Sequence, residues 1–260
     1  MQEKIKLYVA TPVHSNVSIH YLQTVIMLQK KCYELGIEFT LQTMKCSLVT
    51  NGRNICVSDF MNSDCTHMLF LDSDIQIEAD SIVTMINKNK ELLCIPYPLK
   101  TVKFDKMYAM QKLKPDLNLE QMSMAGNVYP IRLADDQSIE FKDGICEITH
   151  SAAGCLLIQK KVFTKMIDKY PDLKIKQEII VDNEKVFKPN LYNFFDTYFD
   201  KNNNLYYGED FAFSRLWRNI GGKCYALITE YITHVGDYSY TGRLIDEMYP
   251  VGIDTKAKNK

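Results

Sequence analysis

The 260-residue chain is 46% apolar and 24% charged, a balance that excludes extended disorder and suits one large α/β domain with a sizeable core. Lys and Arg number 31 against 32 Asp and Glu, so there is no basic field and nucleic acid is not an expected partner. No stretch approaches the roughly 20 apolar residues of a membrane span, and the interrupted run MQEKIKLYVATPV does not read as a signal peptide; a soluble, cytoplasmic protein is expected.

The chain opens with IKLYVATP, a strand ended by Thr11-Pro12, followed by SIHYLQTVIMLQKKCYELG, whose apolar residues recur at helical spacing and stop at Gly36. IEFTLQTM is rich in β-formers, and SLVTNGRNICVSDFMNS reads as a second helix with Ser47 or Thr50 as its cap. HMLFLD is apolar almost throughout, which predicts a central parallel strand covered on both faces. ADSIVTMINKNKE supplies another helix and LLCIPYP a fourth strand. Strands alternating with helices over the first hundred residues predict a doubly wound, mostly parallel sheet between helical layers.

From Leu99 to His150 the periodicity fades, leaving weak strands such as VYPIRL and CEITH. SAAGCLLIQKKVFTKMIDKY predicts a small-residue turn, a strand and a helix, and residues 171–204 read as a long loop of the kind a compact domain keeps for function. GEDFAFSRLWRNIGG predicts a helix and KCYALI a strand, with a loop-like tail from Gly236. The eight cysteines show neither C-x-x-C nor zinc-ligand spacing, and most lie in apolar segments where a thiol acts as a small hydrophobe; a reducing compartment is the simpler reading.

Three polar clusters interrupt this pattern. Asp72-Ser73-Asp74 ends the third strand, at the edge where open α/β sheets bind ligands, and alternate residues of an extended segment would aim both carboxylates at one hard cation. Glu209 and Asp210 open the helix GEDFAFSRLW, where the macrodipole alone could account for acidic residues. His234 closes ITHVG and could coordinate through its imidazole, although a lone histidine is more often a hydrogen-bonded structural residue.

The ordered set of strand-D-x-D, the small-residue loop A-A-G-C, G-E-D and T-H-x-G resembles the GT-A glycosyltransferases, especially the family 2-like enzymes, from Leu7 to about Gly236. The resemblance implies a Rossmann-like three-layer α/β sandwich over residues 1–236, with residues 237–260 as a tail. It implies a nucleotide-diphosphate sugar as donor and a glycan or glycoconjugate hydroxyl as acceptor. Asp72 would bind ribose or sugar beside Ser73, while Asp74, Asp72 and His234 would surround Mn²⁺ or Mg²⁺. Asp210 would be the base of an inverting transfer, with Glu209 beside it on acceptor or sugar hydroxyls. Thr11 and Pro12 match the nucleobase position, Arg53 the arginine facing the diphosphate, and Ala153-Gly154 a loop that lets backbone approach the sugar. Lys100 could reach a phosphate. The acidic residue that many such enzymes carry after the second strand is missing from LQTMKCS.

Two other readings compete. The D-x-D strand also fits a haloacid dehalogenase-like phosphatase with Asp135-Asp136 as the later acidic pair, but Gln76 stands where that family has Thr or Val. A nucleotide-sugar-binding module without catalysis would keep the metal site and lack a base. The tail HVGDYSYTGRLIDEMYP, with Tyr238, Tyr240 and Arg243 among Gly236 and Gly242, could close over a donor as a lid, with Arg243 on the diphosphate.

Overall fold

The computed structural model describes residues 4–133, 141–181 and 184–245. It begins with β1 (Lys6–Val13), α1 (Ile19–Glu34), β2 (Glu38–Lys45), α2 (Val49–Asn62), β3 (His67–Leu71), β4 (Ile75–Ile77), α3 (Ala79–Asn87) and β5 (Leu92–Cys94). Then come α4 (Phe104–Leu113), α5 (Leu119–Ala125), β6 (Arg132–Leu133), β7 (Ile145–His150), β8 (Cys155–Gln159) and α6 (Lys160–Lys169). The last third holds β9 (Glu178–Val181), β10 (Glu184–Phe187), β11 (Tyr198–Asp200), β12 (Leu205–Tyr207), α7 (Glu209–Asn219), β13 (Cys224–Leu227), β14 (Ile232–Val235) and β15 (Ser239–Gly242).

An eight-stranded sheet, ordered β2-β1-β3-β8-β5-β13-β7-β6, forms the middle layer. It is mainly parallel; β8 and β7 run against the other strands. Alternation along β3 explains the layering. Met68 and Phe70 face a core with α2, α6 and α7, built around Phe60, Phe163, Phe213 and Trp217. Leu69 and Leu71 face a second core with α1 and α3, built around Val25, Leu28, Ile82 and Met85. The expected mixed α/β sandwich is therefore the observed one, and HMLFL is covered on both faces.

Several expectations need correction. The fourth strand β5 does not neighbour β3; antiparallel β8 separates them, because the chain enters β8 at the carboxyl end of β3, where Leu71 pairs with Cys155. Helix α2 starts at Val49 after Leu48 and has no side-chain cap, so neither Ser47 nor Thr50 serves, and Thr50 lies inside the helix. Residues 171–204 are not one loop but carry the hairpin β9–β10 and strand β11, which pairs with β12 just beyond. The tail past Gly236 turns back as β15, and β15-β14-β4 form a small sheet of their own. Residues 246–260 of the expected lid lie outside the described residues, as do Asp135 and Asp136. Among the described residues no helix is long and apolar enough to cross a membrane.

Candidate functional site

The carboxyl ends of β3, β1 and β5, the entry to β8, the start of α7 and the strand β14 converge on the acidic turn. Asp72-Ser73-Asp74 is not extended as the sequence suggested. Ile75 N–H donates to Asp72 O at 3.1 Å, closing a turn. Three neighbours lock it: Asp72 N–H donates to Gly154 O (2.9 Å), Ser18 N–H to Ser73 O (2.9 Å) and Val235 N–H to Asp74 O (2.7 Å). A turn sends the two carboxylates to different partners. The pair therefore does not converge on one point in this structure.

Asp72 belongs to a buried network. The Arg53 guanidinium, on α2, donates from Nη2 to both Asp72 oxygens (3.1 and 3.2 Å), from Nε to Glu209 Oε1 (3.3 Å) and from Nη1 to Ala153 O (3.5 Å). Its plane lies over Phe70 at 5.1 Å, so Arg53 is inside the protein rather than on an exposed helix face. Burial opposes its charge, but Asp72 and Glu209 outweigh that and raise its pKa further above the ordinary arginine range. Gly154 fits because a Cβ there would stand 2.5 Å from the Tyr97 ring and 3.1 Å from Asp72 Oδ2.

Asp74 belongs to a second, more open cluster. Its Oδ2 accepts from Lys100 Nζ at 2.6 Å and lies 3.2 Å from His234 Nε2. Burial works against the carboxylate, yet the neighbouring His234 and Lys100 hold its pKa below the ordinary value. His234 Nδ1 sits 2.9 Å from the Pro98 carbonyl, which can only accept, so Nδ1 carries a proton and Nε2 is the atom turned toward Asp74. Lys100 reaches this point because a Cβ on Gly236 would stand only 3.1 Å from its Cδ.

Among the described residues no three His, Cys, Asp or Glu side chains converge as a complete metal cage. Asp74 and His234 nevertheless offer a carboxylate and an oriented imidazole side by side. That incomplete set fits Mg²⁺ or Mn²⁺ held jointly with phosphate oxygens, the usual way Mg²⁺ is bound by proteins.

Asp210, at the first turn of α7, is set apart from Glu209. Burial, followed by repulsion from Glu209, pushes its pKa up to about 6, although its Oδ1 accepts from Phe211 N–H at 2.7 Å. Thr11 is buried and bonded to Tyr21 at 2.7 Å between hydroxyls, and Pro12 lies inside β1, which runs on to Val13 instead of turning. Arg243 stacks on Tyr231 at 4.4 Å. Sequence reasoning overlooked Tyr97, which packs edge-on against His234 at 5.0 Å and whose pKa is raised by burial and then by Asp72 and Asp210. Its place just past β5, on the ligand edge of the sheet, is the signal that could have found it.

No family model matches the chain, and no curated protein matches it. Solved structures do match in part. The crystal structure of A197 from STIV aligns at a TM-score of 0.45 and 17% identity, covering 90% of this chain and 86% of that one. A glycosyltransferase involved in the glycosylation of the major capsid of PBCV-1 aligns at 0.31 and 10%, covering 64% and 68%. A 4-diphosphocytidyl-2C-methyl-D-erythritol synthase from Anaerococcus prevotii aligns at 0.32 and 11%, covering 67% and 80%. Likenesses this distant leave the chain's activity to be read from its own side chains.

Proposed function

We propose that the chain is a metal-dependent glycosyltransferase, moving a sugar from a nucleotide-diphosphate sugar to an acceptor hydroxyl with inversion. One observation carries this reading: Arg53 bridges Asp72 and Glu209, so the ends of β3 and α7 meet, with the Asp74–His234–Lys100 cluster beside Asp72 and Asp210 beside Glu209. A cation-and-phosphate end and a base end on one edge of the sheet are what group transfer from a diphosphate requires.

Asp74 and His234, with Asp72 nearby, would hold Mn²⁺ or Mg²⁺, which supplies Lewis-acid stabilisation of the leaving diphosphate. Lys100 would add a cationic contact to the same phosphates. Asp210 is the better base of the two acidic neighbours, since Glu209 is tied to Arg53 while the Asp210 pKa of about 6 suits proton transfer near neutrality. Asp210 takes the proton of the acceptor hydroxyl; the acceptor oxygen bonds to the anomeric carbon, and the bond from that carbon to the diphosphate breaks with its electron pair. Ala153-Gly154 would border the sugar, while Thr11 and Pro12, buried within β1, would support the nucleobase end of the donor from beneath rather than touch it.

The phosphatase alternative is less well supported, because Asp72, its required nucleophile, is engaged at both oxygens by Arg53. The deciding test is thermal unfolding against a panel of nucleotide sugars with Mn²⁺ or with chelator. A donor that raises Tm only with metal is expected, followed by transfer of its sugar. Equal shifts with chelator present would reject the metal role, and no shift by any nucleotide sugar would reject the donor class.

A further inference from the structure

Next to the candidate base lies a group of arginines that the reading above does not use. Phe211 follows Asp210 directly and shares one face of α7 with Arg215 and Arg218, at spacing i, i+4, i+7. His150, at the end of β7, packs on Phe211 at 4.9 Å and stacks on Tyr207 at 5.7 Å with 7° between planes. Arg132 covers the same two rings at 5.4 Å and 6.0 Å, and Arg215 lies over Tyr198 at 3.9 Å.

Among the described residues these arginines have few anionic partners. Asp200 lies 3.9 Å from Arg215 Nη1, beyond hydrogen-bond reach, and that nitrogen is buried with no hydrogen-bond partner. Among the described residues no carboxylate stands within ion-pair distance of Arg132 or Arg218. A guanidinium stacked on a ring has its face occupied and its N–H edge free, and a buried N–H left unbonded is costly unless something occupies it. All three arginines also act on one point: burial, then Arg132, Arg218 and Arg215, lower the His150 pKa to about 4, so its ring is neutral at neutral pH and adds no cation of its own.

We propose that Arg132, Arg215 and Arg218 form a binding site for a phosphate group, with the exposed Arg132 and Arg218 and the solvent-facing part of the Arg215 guanidinium as its donors. The adjacency to Asp210 assigns that phosphate to the acceptor, so the acceptor class is a phosphorylated sugar or glycoconjugate; this assignment rests on the transferase reading, whereas the anion site does not.

The test follows the ¹H–¹³C NMR signal of the His150 ring, assigned with His150→Gln, while inorganic phosphate, a sugar phosphate and the parent neutral sugar are titrated at constant ionic strength. Inorganic phosphate and the sugar phosphate should each shift the signal saturably, the neutral sugar should not, and Arg215→Ala should weaken binding at least about tenfold. Arg132 is exposed, so Arg132→Ala gives the same comparison without disturbing the core. No saturable shift, an equal shift with chloride, or undiminished binding in both variants would overturn the site. Phosphate binding that persists in a protein showing no transfer from any nucleotide sugar would keep the site and reject the transferase reading. Transfer to neutral and phosphorylated acceptors at equal rates would reject the acceptor assignment alone.

Discussion

Asp72 and Asp74 are two residues apart and live in different chemistry. Around Asp72 the partner cation is sealed in: the Arg53 side chain is 4% exposed and makes contacts to two carboxylates, a carbonyl and an aromatic face. Around Asp74 the partner is open to water, with the Lys100 side chain 39% exposed and the carboxylate 33% exposed. The difference teaches that a D-x-D pair can divide its labour, one carboxylate fastening α2 and α7 to the sheet edge and the other sitting in a more open ion pair with a lysine. Buried charge networks resist loss of a member, while exposed ion pairs contribute little to stability and are easily displaced.

The largest expected effect breaks the sealed side. Arg53→Met would leave Asp72 and Glu209 without their cation and should lower unfolding stability by about 3 kcal/mol or more, read from urea denaturation. A loss below about 1 kcal/mol would mean that the carboxylates find water or other partners and that the network is not a fastening.

Asp210→Asn should act on function and stability in opposite directions. Turnover is expected to fall by roughly a hundredfold or more, the scale of a general base. The folded pKa of about 6 lies above the ordinary 3.8, so the native state favours the protonated acid. Its stabilising contribution is full below the unfolded pKa and is lost as pH rises through about 6, and at pH 7 the buried carboxylate costs stability. The neutral amide should therefore raise stability at pH 7 by about 1 kcal/mol and flatten the acidic limb of the pH–rate profile near 6. A variant that is inactive but less stable at pH 7 than the parent would contradict the burial of this carboxylate.

Gly154→Ala sharpens the contrast from the backbone side. Its Cβ would meet the Tyr97 ring at 2.5 Å, and the fully packed loop cannot move without shifting Asp72, so a loss of roughly 1–3 kcal/mol is expected in thermal unfolding. On the open side, Lys100→Ala should change stability by less than about 1 kcal/mol, since its ion pair with Asp74 is more than a third exposed at the lysine.

The layered fold was legible because its signals are local. The apolar run HMLFL needs cover on both faces, and the i, i+3, i+4 pattern of α1 needs one buried face, whatever the rest of the chain does. The order of strands was less so: CLLI is apolar throughout, and a buried strand reads the same whether it runs with its neighbours or against them, which is how β8 escaped notice between β3 and β5. Short edges such as β11 and β12 hold only three residues each, too few for periodicity to show. At the site, the ordered motifs and the family resemblance they carry pointed to Asp72, Asp74, Asp210 and His234, but not to Asp72 facing Arg53. That depended on a turn closed by Gly154, Ser18 and Val235, residues scattered along the chain.

The central claim is that Asp74, not Asp72, faces the ligand, and calorimetric titration of nucleoside diphosphates with Mn²⁺ and with chelator tests it most directly. Wild-type protein should bind at least one nucleoside diphosphate only when metal is present. Asp74→Ala, which leaves the Arg53 network untouched, should lose that metal requirement together with most of the affinity while unfolding within about 1 kcal/mol of the parent. Equal affinity with and without metal in the wild type, or Asp74→Ala binding as tightly as the parent with Mn²⁺, would contradict the account.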